Sequence, residues 1–183
     1  MPKLISFNFI SLNGYYKGPN EDISWNKPDP EWSEYAAEGL KSQSTLVFGR
    51  VTYQMMASYW TTPMAAQNDP AVTAGMNNNP KIVFSRTLQK AEWNNTRLIK
   101  DNLFEEIKKL KQRPGNDMTI LGSGTIVTQL AEQGLVDEFQ IMLNPVVLGN
   151  GTTLFNGTNR KLDLKLKTSR IFKSGNVLLC YEP

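Results

Sequence analysis

The chain has 183 residues, of which 40% are hydrophobic and 20% charged, and this is enough to bury a core as a single domain over residues 1–183. A net charge of +3 is mild, and it does not resemble the clustered basic surface that binds nucleic acid. The absence of histidine excludes Ser-His-Asp and Cys-His catalysis and His-ligated zinc. Chemistry must therefore come from carboxylates, hydroxyls or a bound cofactor, and we expect no metal site.

The N-terminus shows no pattern of a signal peptide, because Met1-Pro2-Lys3 runs directly into an alternating apolar stretch. No segment approaches the roughly 18 continuous apolar residues that a membrane helix needs. We therefore expect a cytoplasmic protein without membrane or nucleic-acid partners. The single cysteine, Cys180, lies in an apolar run and is expected to be a core thiol.

The first half of the chain is predicted to hold a strand, a long loop, a helix, a buried strand, a second helix and a polar excursion. The first strand is Lys3–Ile10, and the loop runs from Asn13-Gly14 to Pro30. The first helix is capped by Asp29 and runs to about Lys41. The buried strand is Thr45–Phe48, the second helix is Arg50–Tyr59 and the polar excursion is Thr61–Asn79. The long loop is a candidate binding loop, since loops of this length in compact domains are usually functional.

The second half is predicted to continue the alternation and then to contain strands only. The elements are Lys81–Phe84, a weaker strand near Arg97–Lys100, a helix capped by Asp101, Met118–Leu121, a helix from Gly122 to about Glu132, and strands over Phe139–Leu148, Leu162–Phe172 and Asn176–Glu182. In the basic stretch Arg160–Lys173, leucines alternate with charged residues, which predicts a half-buried strand. The order favours an α/β fold with a mixed, mostly parallel sheet, helices on both faces and an antiparallel C-terminal part.

Three apolar strands run directly into turns that carry glycine, hydroxyl or arginine side chains. The turns are Gly49-Arg50-Val51-Thr52-Tyr53, Ser85-Arg86-Thr87 and Gly122-Ser123-Gly124-Thr125. Ligands bind at the carboxyl ends of strands in open α/β sheets, and a following helix offers free N–H groups to phosphate. The two arginines supply planar donors for phosphate oxygens. Each turn taken alone could simply end a strand, whereas three together predict a phosphorylated ligand.

These turns belong to an ordered set of motifs that covers nearly the whole chain. The set is Ser11-Leu12-Asn13-Gly14-Tyr15, Phe48–Tyr53, Val83–Arg86, Leu121–Gly124, Asp137-Glu138, Pro145–Gly151 and Leu154-Phe155. With it the chain resembles the C-terminal reductase domain of the bifunctional riboflavin-biosynthesis deaminase/reductase, which has the three-layer dihydrofolate-reductase-like fold. The deaminase half and its zinc ligands are missing, so the resemblance implies no deamination.

What the resemblance implies is an NADPH site without metal or flavin. Arg50 and Thr52 would hold phosphate groups at the start of the second helix, beside Gly49. Ser85 and Arg86 would lie by the adenosine 2′-phosphate and favour NADPH over NADH. The turn Gly122, Ser123, Gly124 and Thr125 would bind the pyrophosphate, and the loop Asn13–Trp25 would close over nicotinamide and substrate.

Reduction also needs a proton, and several residues are candidates for supplying it. Asn13 stands where the family usually has aspartate, and an amide cannot carry a titrating proton. The predicted catalytic residues are Asn13, Asp22 and Glu34, with Glu31, Tyr35 or an ordered water as alternatives. Phe9, Trp25, Trp32 and Tyr35 either stack on a flat heterocycle or belong to the core.

Three functions remain open from the sequence. The first is an NADPH-dependent reductase of a small heterocyclic substrate, like 5-amino-6-(5-phosphoribosylamino)uracil reductase. The second is a dihydrofolate-reductase-like enzyme with another substrate, and the third is a non-catalytic NADPH-binding module. Relatives of this type commonly pair, so we expect a homodimer with a covered or charged sheet edge.

Overall fold

The structure, a computed structural model, describes residues 1–183 and contains ten strands and six α-helices. The strands are β1 (Leu4–Ser11), β2 (Tyr15–Lys17), β3 (Thr45–Gly49), β4 (Lys81–Phe84), β5 (Thr96–Ile99), β6 (Met118–Leu121), β7 (Glu138–Asn144), β8 (Thr152–Thr153), β9 (Lys165–Ile171) and β10 (Val177–Glu182). The helices are α1 (Pro30–Leu40), α2 (Arg50–Trp60), α3 (Pro63–Asn68), α4 (Pro70–Asn78), α5 (Leu103–Gln112) and α6 (Gly124–Glu132).

Eight strands form one sheet in the order β5-β4-β3-β6-β1-β7-β10-β9, and β2 pairs with β8 in a separate ribbon. From β5 to β7 every neighbouring pair is parallel, while β10 is antiparallel to both β7 and β9. The predicted α/β fold class, with a mostly parallel sheet and an antiparallel C-terminal part, is therefore confirmed. β1 lies in the middle of the sheet, next to β6, so the turns after β1, β3, β4 and β6 share one edge.

Helices pack on both faces of the sheet, which gives the predicted three layers. On one face, α5 and α6 bury Ile107 and Leu130 against strand residues such as Val47 and Ile120. On the other face, α1, α2 and α4 pack around Phe48. A smaller cluster around Phe7 and Phe172 extends that second face under the antiparallel strands, and it includes the buried thiol of Cys180 as expected.

Five predicted elements differ from the structure. The long loop from Asn13 to Pro30 was expected to be irregular, yet it contains the short strand β2. The segment 61–79 was expected to be irregular, yet it forms α3 and α4, because Pro63 and Pro70 each stand at the start of a helix where no N–H is needed. Thr62 and Asp69 cap these helices by accepting from the N–H of Ala65 and Val72.

Asp101 does not cap α5 as predicted. The N-cap is Asn102, in the left-handed conformation with φ 60°, and it makes no side-chain cap bond. The strand predicted over 139–148 ends at Asn144, because Pro145 has no N–H to donate to the ladder. The strand predicted over 162–172 covers only β9, and all seven of its residues are exposed rather than half-buried.

Candidate functional site

A polar cavity of about 580 Å³ opens at the carboxyl ends of β3, β4 and β6. It is lined by all nine residues predicted to bind the cofactor: Gly49, Arg50, Thr52, Ser85, Arg86, Gly122, Ser123, Gly124 and Thr125. Register explains the convergence, since Gly49 pairs with Phe84 across the parallel strands β3 and β4. The three turns therefore form one site, of a size typical for ligand pockets.

Two helices begin at this cavity with their first N–H groups free of side-chain caps. Gly49 precedes α2 and Ser123 precedes α6, and neither makes a side-chain cap hydrogen bond. Uncapped N–H groups and the positive end of the helix dipole favour a negatively charged ligand.

The Ser123 hydroxyl holds these two helix starts together. It accepts a hydrogen bond from the N–H of Gly49 at 2.9 Å and donates to the carbonyl of Leu121 at 3.2 Å. Ser123 is buried, so the bond is shielded from water. Its side chain therefore fixes the spacing of the two turns, and its contribution to an anion site would come from the backbone.

Glycine is required at two positions of the third turn. Gly122 has φ +62°, a left-handed conformation that favours glycine. A Cβ at Gly124 would lie 2.6 Å from the Cζ atom of Tyr16, whose ring lies directly against the start of α6. Through Tyr16, β2 brings the first loop over this helix, and the loop forms a wall of the polar cavity.

Four cationic side chains line the polar cavity, and two of them have carboxylate partners. Lys17 pairs with Glu21 at 2.6 Å; burial is the largest influence on its pKa and lowers it, but the hydrogen bond to Glu21 and the interactions with Tyr16 and the Glu21 charge together outweigh burial, so the pKa is raised. Arg86 lies 3.4 Å from Asp101 in an exposed pair. Arg50 contacts only the amide of Gln54, at 3.0 Å, and Lys100 forms no ion pair. The cavity therefore has cationic donors available for an anionic ligand.

The Ser85 hydroxyl stabilises its own turn. It accepts hydrogen bonds from the N–H of Thr87 at 3.2 Å and of Leu88 at 2.9 Å. This geometry holds Arg86 at the mouth of the cavity, with its side chain 85% exposed. The arginine is therefore free to reorient toward a bound phosphate.

Asn8 is an unpartnered amide at the wall of the polar cavity. The residue is 1% exposed, and neither its Oδ1 nor its Nδ2 atom has a hydrogen-bond partner in the protein. A buried amide without partners costs free energy, whereas a ligand with a matching donor and acceptor would recover it. Asn26 has a similar unpartnered Oδ1 atom and also lines this cavity.

A second, larger cavity of about 900 Å³ lies between the sheet and helices α1, α2 and α4. We call it the aromatic cavity, because six aromatic side chains line it: Phe7, Phe9, Trp32, Tyr35, Tyr59 and Trp60. Phe7 and Trp32 stack with their ring centroids 5.1 Å apart. Of the aromatic residues singled out in the sequence, Trp25 lines the polar cavity, Trp32 and Tyr35 line the aromatic cavity, and Phe9 lines both.

The two cavities meet and share six lining residues: Phe9, Ile23, Asn26, Met55, Met56 and Gly122. We call this set the junction. A ligand in the polar cavity and a second ligand in the aromatic cavity would be in contact there. None of the six junction side chains titrates.

The structure does not bring the three predicted catalytic residues into either cavity. The Asn13 amide ties two loops together: Nδ2 donates to the Leu148 carbonyl at 2.7 Å, and Oδ1 accepts from the Leu148 N–H and the Ser11 hydroxyl. Asp22 is exposed, and hydrogen bonds from Ser24 hold the pKa of its carboxyl below the usual range, which disfavours proton donation at neutral pH. Glu34 is exposed on α1. Their catalytic roles therefore find no support in this geometry.

The two alternative proton donors differ in position. Glu31 accepts from Arg170 and from the N–H of Lys173, both at 3.0 Å, and these bonds fix it against the antiparallel strands. Tyr35 lines the aromatic cavity, and burial raises the pKa of its phenol above 10.0, so it keeps its proton at neutral pH.

Several lining residues were not singled out in the sequence, chief among them Asn8, Tyr16, Lys17, Asn26 and Lys100. An asparagine inside a buried strand, as at Asn8, is a sequence signal that could have been used, because a polar side chain in a core strand needs a partner. Tyr16 and Lys17 belong to the short strand β2, Asn26 and Lys100 lie in loops, and only the folded chain shows where those segments go. No three Asp, Glu or Cys side chains are grouped so as to hold a metal ion, and no helix is long and apolar enough to cross a membrane.

The fold and the site define an α/β protein of the dihydrofolate-reductase-like class. More narrowly, the chain belongs to the family of the RibD C-terminal domain, whose family model matches residues 2–178. This confirms the family expected from the sequence motifs and supports a reductase-like role.

Two Bacillus subtilis (strain 168) proteins are similar over nearly their whole length. Uncharacterized protein YyaP is 31% identical over 172 residues, which cover 94% of this chain and 90% of that protein. Uncharacterized protein YwjB is 24% identical over 171 residues, covering 93% and 92%. The chain therefore resembles relatives of its own size.

Solved structures agree on the fold. A protein from Shewanella sp. PV-4, provisionally assigned to riboflavin biosynthesis, has a TM-score of 0.74 at 22% identity, with 98% of both chains covered. The diaminohydroxyphosphoribosylaminopyrimidine deaminase/5-amino-6-(5-phosphoribosylamino)uracil reductase of Thermotoga maritima has a TM-score of 0.72 at 15% identity. The match covers all of this chain but only 56% of the Thermotoga protein. This chain therefore spans about half of the bifunctional protein.

Proposed function

We propose that this chain is an NADPH-dependent reductase of a small heterocyclic compound. The observation that carries the proposal is that a polar, cation-lined cavity and an aromatic cavity meet at a shared junction. Hydride transfer requires a nicotinamide and a substrate ring in contact, and two adjoining cavities provide that arrangement.

The residues of the polar cavity fit a phosphorylated dinucleotide. The uncapped starts of α2 and α6 offer backbone N–H groups to phosphates, and Arg50 provides a guanidinium beside the first of them. Arg86 lies exposed at the mouth of the cavity, and we propose that it binds the adenosine 2′-phosphate. The unpartnered amide of Asn8 matches a ligand with a donor and an acceptor, such as a carboxamide.

When bound, NADPH supplies the hydride, and the chain's own residues orient the substrate and exclude water. The rings of Trp32 and Phe9 offer surfaces on which a flat substrate can stack. These two rings contact each other edge to face, with their centroids 5.1 Å apart. We propose that the proton comes from the Tyr35 phenol or from a water that this side chain positions. Asn26, at the junction, offers an unpartnered oxygen to a ring N–H of the substrate.

A second candidate function is a non-catalytic NADPH-binding module. It is favoured by one observation, the lack of any titratable side chain among the six junction residues. In such a module the polar cavity would work as described, but no proton would reach the acceptor.

Turnover separates the two candidates. The assay follows the near-ultraviolet absorbance of NADPH while the protein is mixed with pterins, pyrimidines and other flat heterocycles. An enzyme consumes NADPH with at least one of them, and Tyr35→Phe slows this by about tenfold or more while NADPH binding is kept. If NADPH binds but no compound in the panel accelerates its oxidation, the module is the better account.

The expected homodimer stays a prediction, and we propose that it forms through the edge strand β9. Both faces of β9 are exposed, with Leu166 51% and Ile171 76% exposed to solvent. An uncovered edge of this kind is a template for pairing with another chain. Light scattering of the purified protein measures the mass in solution and thereby tests the pairing. A cytoplasmic location likewise stays a proposal.

A further inference from the structure

We propose that the aromatic cavity takes a substrate without phosphate and without net negative charge, a neutral or cationic aromatic heterocycle. The proposal rests on the function proposed above and names the substrate class for that site. It distinguishes this chain from a reductase whose substrate carries a ribose phosphate.

The first observation is that carboxylates line both cavities, Glu21 and Asp101 among them at the polar cavity, whereas cationic side chains line only one. All four cationic side chains, Lys17, Arg50, Arg86 and Lys100, line the polar cavity. No Lys or Arg lines the aromatic cavity, where the charged residues are Glu38, Asp69 and Asp117. A phosphate taken from water into this cavity would lose its hydration without gaining a counter-charge, which is strongly unfavourable.

The second observation concerns helix starts, which can bind anions without any cationic side chain. The start of α4 reaches the aromatic cavity through Asp69, but the Asp69 carboxylate already accepts from the N–H of Val72 at 3.2 Å. The start of α1 is capped in the same way, by the bond from the Trp32 N–H to Asp29 at 2.8 Å. These helix starts are thus neutralised by the chain's own carboxylates, whereas those at the polar cavity are uncapped.

The third observation is the shape and polarity of the aromatic cavity. Its rings favour a flat aromatic ligand, and its polar side chains include neutral donors and acceptors such as Thr119, Gln140 and Asn26. Neutral amides and hydroxyls recognise ring N–H and C=O groups but do not compensate a dianion. Stacking and neutral hydrogen bonds are therefore the means of recognition.

The test compares matched ligands that differ only by a phosphate. Two pairs serve, riboflavin with its 5′-phosphate, and 5-amino-6-(5-phosphoribosylamino)uracil with its dephosphorylated form. Each compound is titrated calorimetrically into the protein saturated with NADP⁺, which occupies the polar cavity and blocks binding of the phosphate there. We expect at least one unphosphorylated compound to bind about tenfold or more tightly than its phosphorylated partner.

A charge reversal makes the test sharper. Glu38 lines the aromatic cavity and is 72% exposed, in an i,i+3 pair with Lys41, so Glu38→Lys is compatible with the fold and adds a cation to the cavity. This substitution should reduce the difference in affinity between the unphosphorylated compound and its phosphorylated partner. The control is Glu105→Lys, which changes a similarly exposed i,i+3 pair with Lys108 on the opposite face of the sheet and should leave the preference unchanged.

The proposal is overturned if no unphosphorylated compound binds more tightly than its phosphorylated partner, or if the two charge reversals act alike. Failure of the proposed function looks different. In that case NADP⁺ gives no binding heat, or the unphosphorylated compound binds but is never reduced by NADPH. Without bound NADP⁺, the difference between Glu38→Lys and Glu105→Lys still reports on the aromatic cavity, because phosphate binding in the polar cavity is common to both variants.

Discussion

Single side chains decide how the polar cavity treats a ligand, and Asn8 is the clearest case. Its amide is buried in β1 with no partner, so the unliganded protein bears the cost of desolvating it. Replacing it with a leucine of similar size should remove that cost and also remove the donor and acceptor that a ligand would use. A residue retained for binding is thus expected to weaken the fold.

We therefore expect Asn8→Leu to raise the free energy of unfolding by about 1 kcal/mol and to weaken NADPH binding about tenfold. Denaturant unfolding and calorimetric titration measure the two effects. The control is Ser6→Ala on the same strand, because the Ser6 Oγ is also buried and unpartnered but lies outside both cavities. Ser6→Ala should not change NADPH affinity, and an equal loss in both variants would refute the role of Asn8.

We propose that Arg86 carries the preference for a 2′-phosphate. Arg86→Gln should weaken NADPH binding by about ten- to one-hundredfold and leave NADH binding unchanged, since only NADPH has the extra phosphate. The matched control is Arg97→Gln, which removes an exposed arginine paired with Glu106 outside the polar cavity. A parallel loss of both cofactors in Arg86→Gln would show that this guanidinium binds another group.

At the scale of elements, the apolar strands and the turns that follow them were readable from the sequence. Each four-residue apolar run became a strand of the parallel sheet, and this alone brings Gly49, Ser85 and Gly122 to one edge. The helices α3 and α4 were missed because Asn and Pro are typical of loops, although Pro63 and Pro70 occupy the helix positions that tolerate proline. The aromatic cavity could not be predicted for the same reason, because α4 forms one of its walls.

The loop after β1 was expected to supply a catalytic residue, Asn13. In the structure the Asn13 amide instead links this loop to the backbone of Leu148. Asn13→Asp restores the residue usual in the family and should destabilise this chain by about 1 to 3 kcal/mol, because a carboxylate oxygen would then face the Leu148 carbonyl. Thermal unfolding measures the loss. Asn150→Asp is the control, since Asn150 uses only its Oδ1, as the acceptor of the Gly151 N–H. Equal stability of Asn13→Asp and the wild type would show that the hydrogen bonds between Asn13 and Leu148 do not stabilise the fold.

For the whole molecule, one buried cation makes stability depend on pH. Lys81 is 1% exposed; its Nζ donates to the carbonyls of Asn77 and Asn79, with no carboxylate partner, and burial lowers its pKa from 10.5 to about 8. Between these values the unfolded chain holds a proton that the folded chain has released, so the free energy of unfolding rises with pH. The destabilisation is complete below pH 8 and amounts to about 3 kcal/mol.

Lys81→Met removes this dependence. The free energy of unfolding of the wild type should rise relative to the variant by about 3 kcal/mol between pH 7.5 and 10.5. Urea unfolding of both proteins at a series of pH values measures the difference in their free energies of unfolding. Taking this difference cancels the contribution of other groups that titrate in the same range. Parallel curves for the two proteins would mean that the buried amine is not perturbed.

The central claim is that the polar cavity is a site for NADPH, and calorimetric titration of the unmodified protein with NADPH and NADH tests it most directly. The three turns, the cations and the uncapped helices predict one NADPH site per chain. They also predict NADH binding that is about tenfold or more weaker, for want of the 2′-phosphate contact at Arg86. Negligible heat with both cofactors would contradict the claim. Equal affinity for both would be consistent with a cofactor site in the polar cavity but would contradict the role proposed for Arg86.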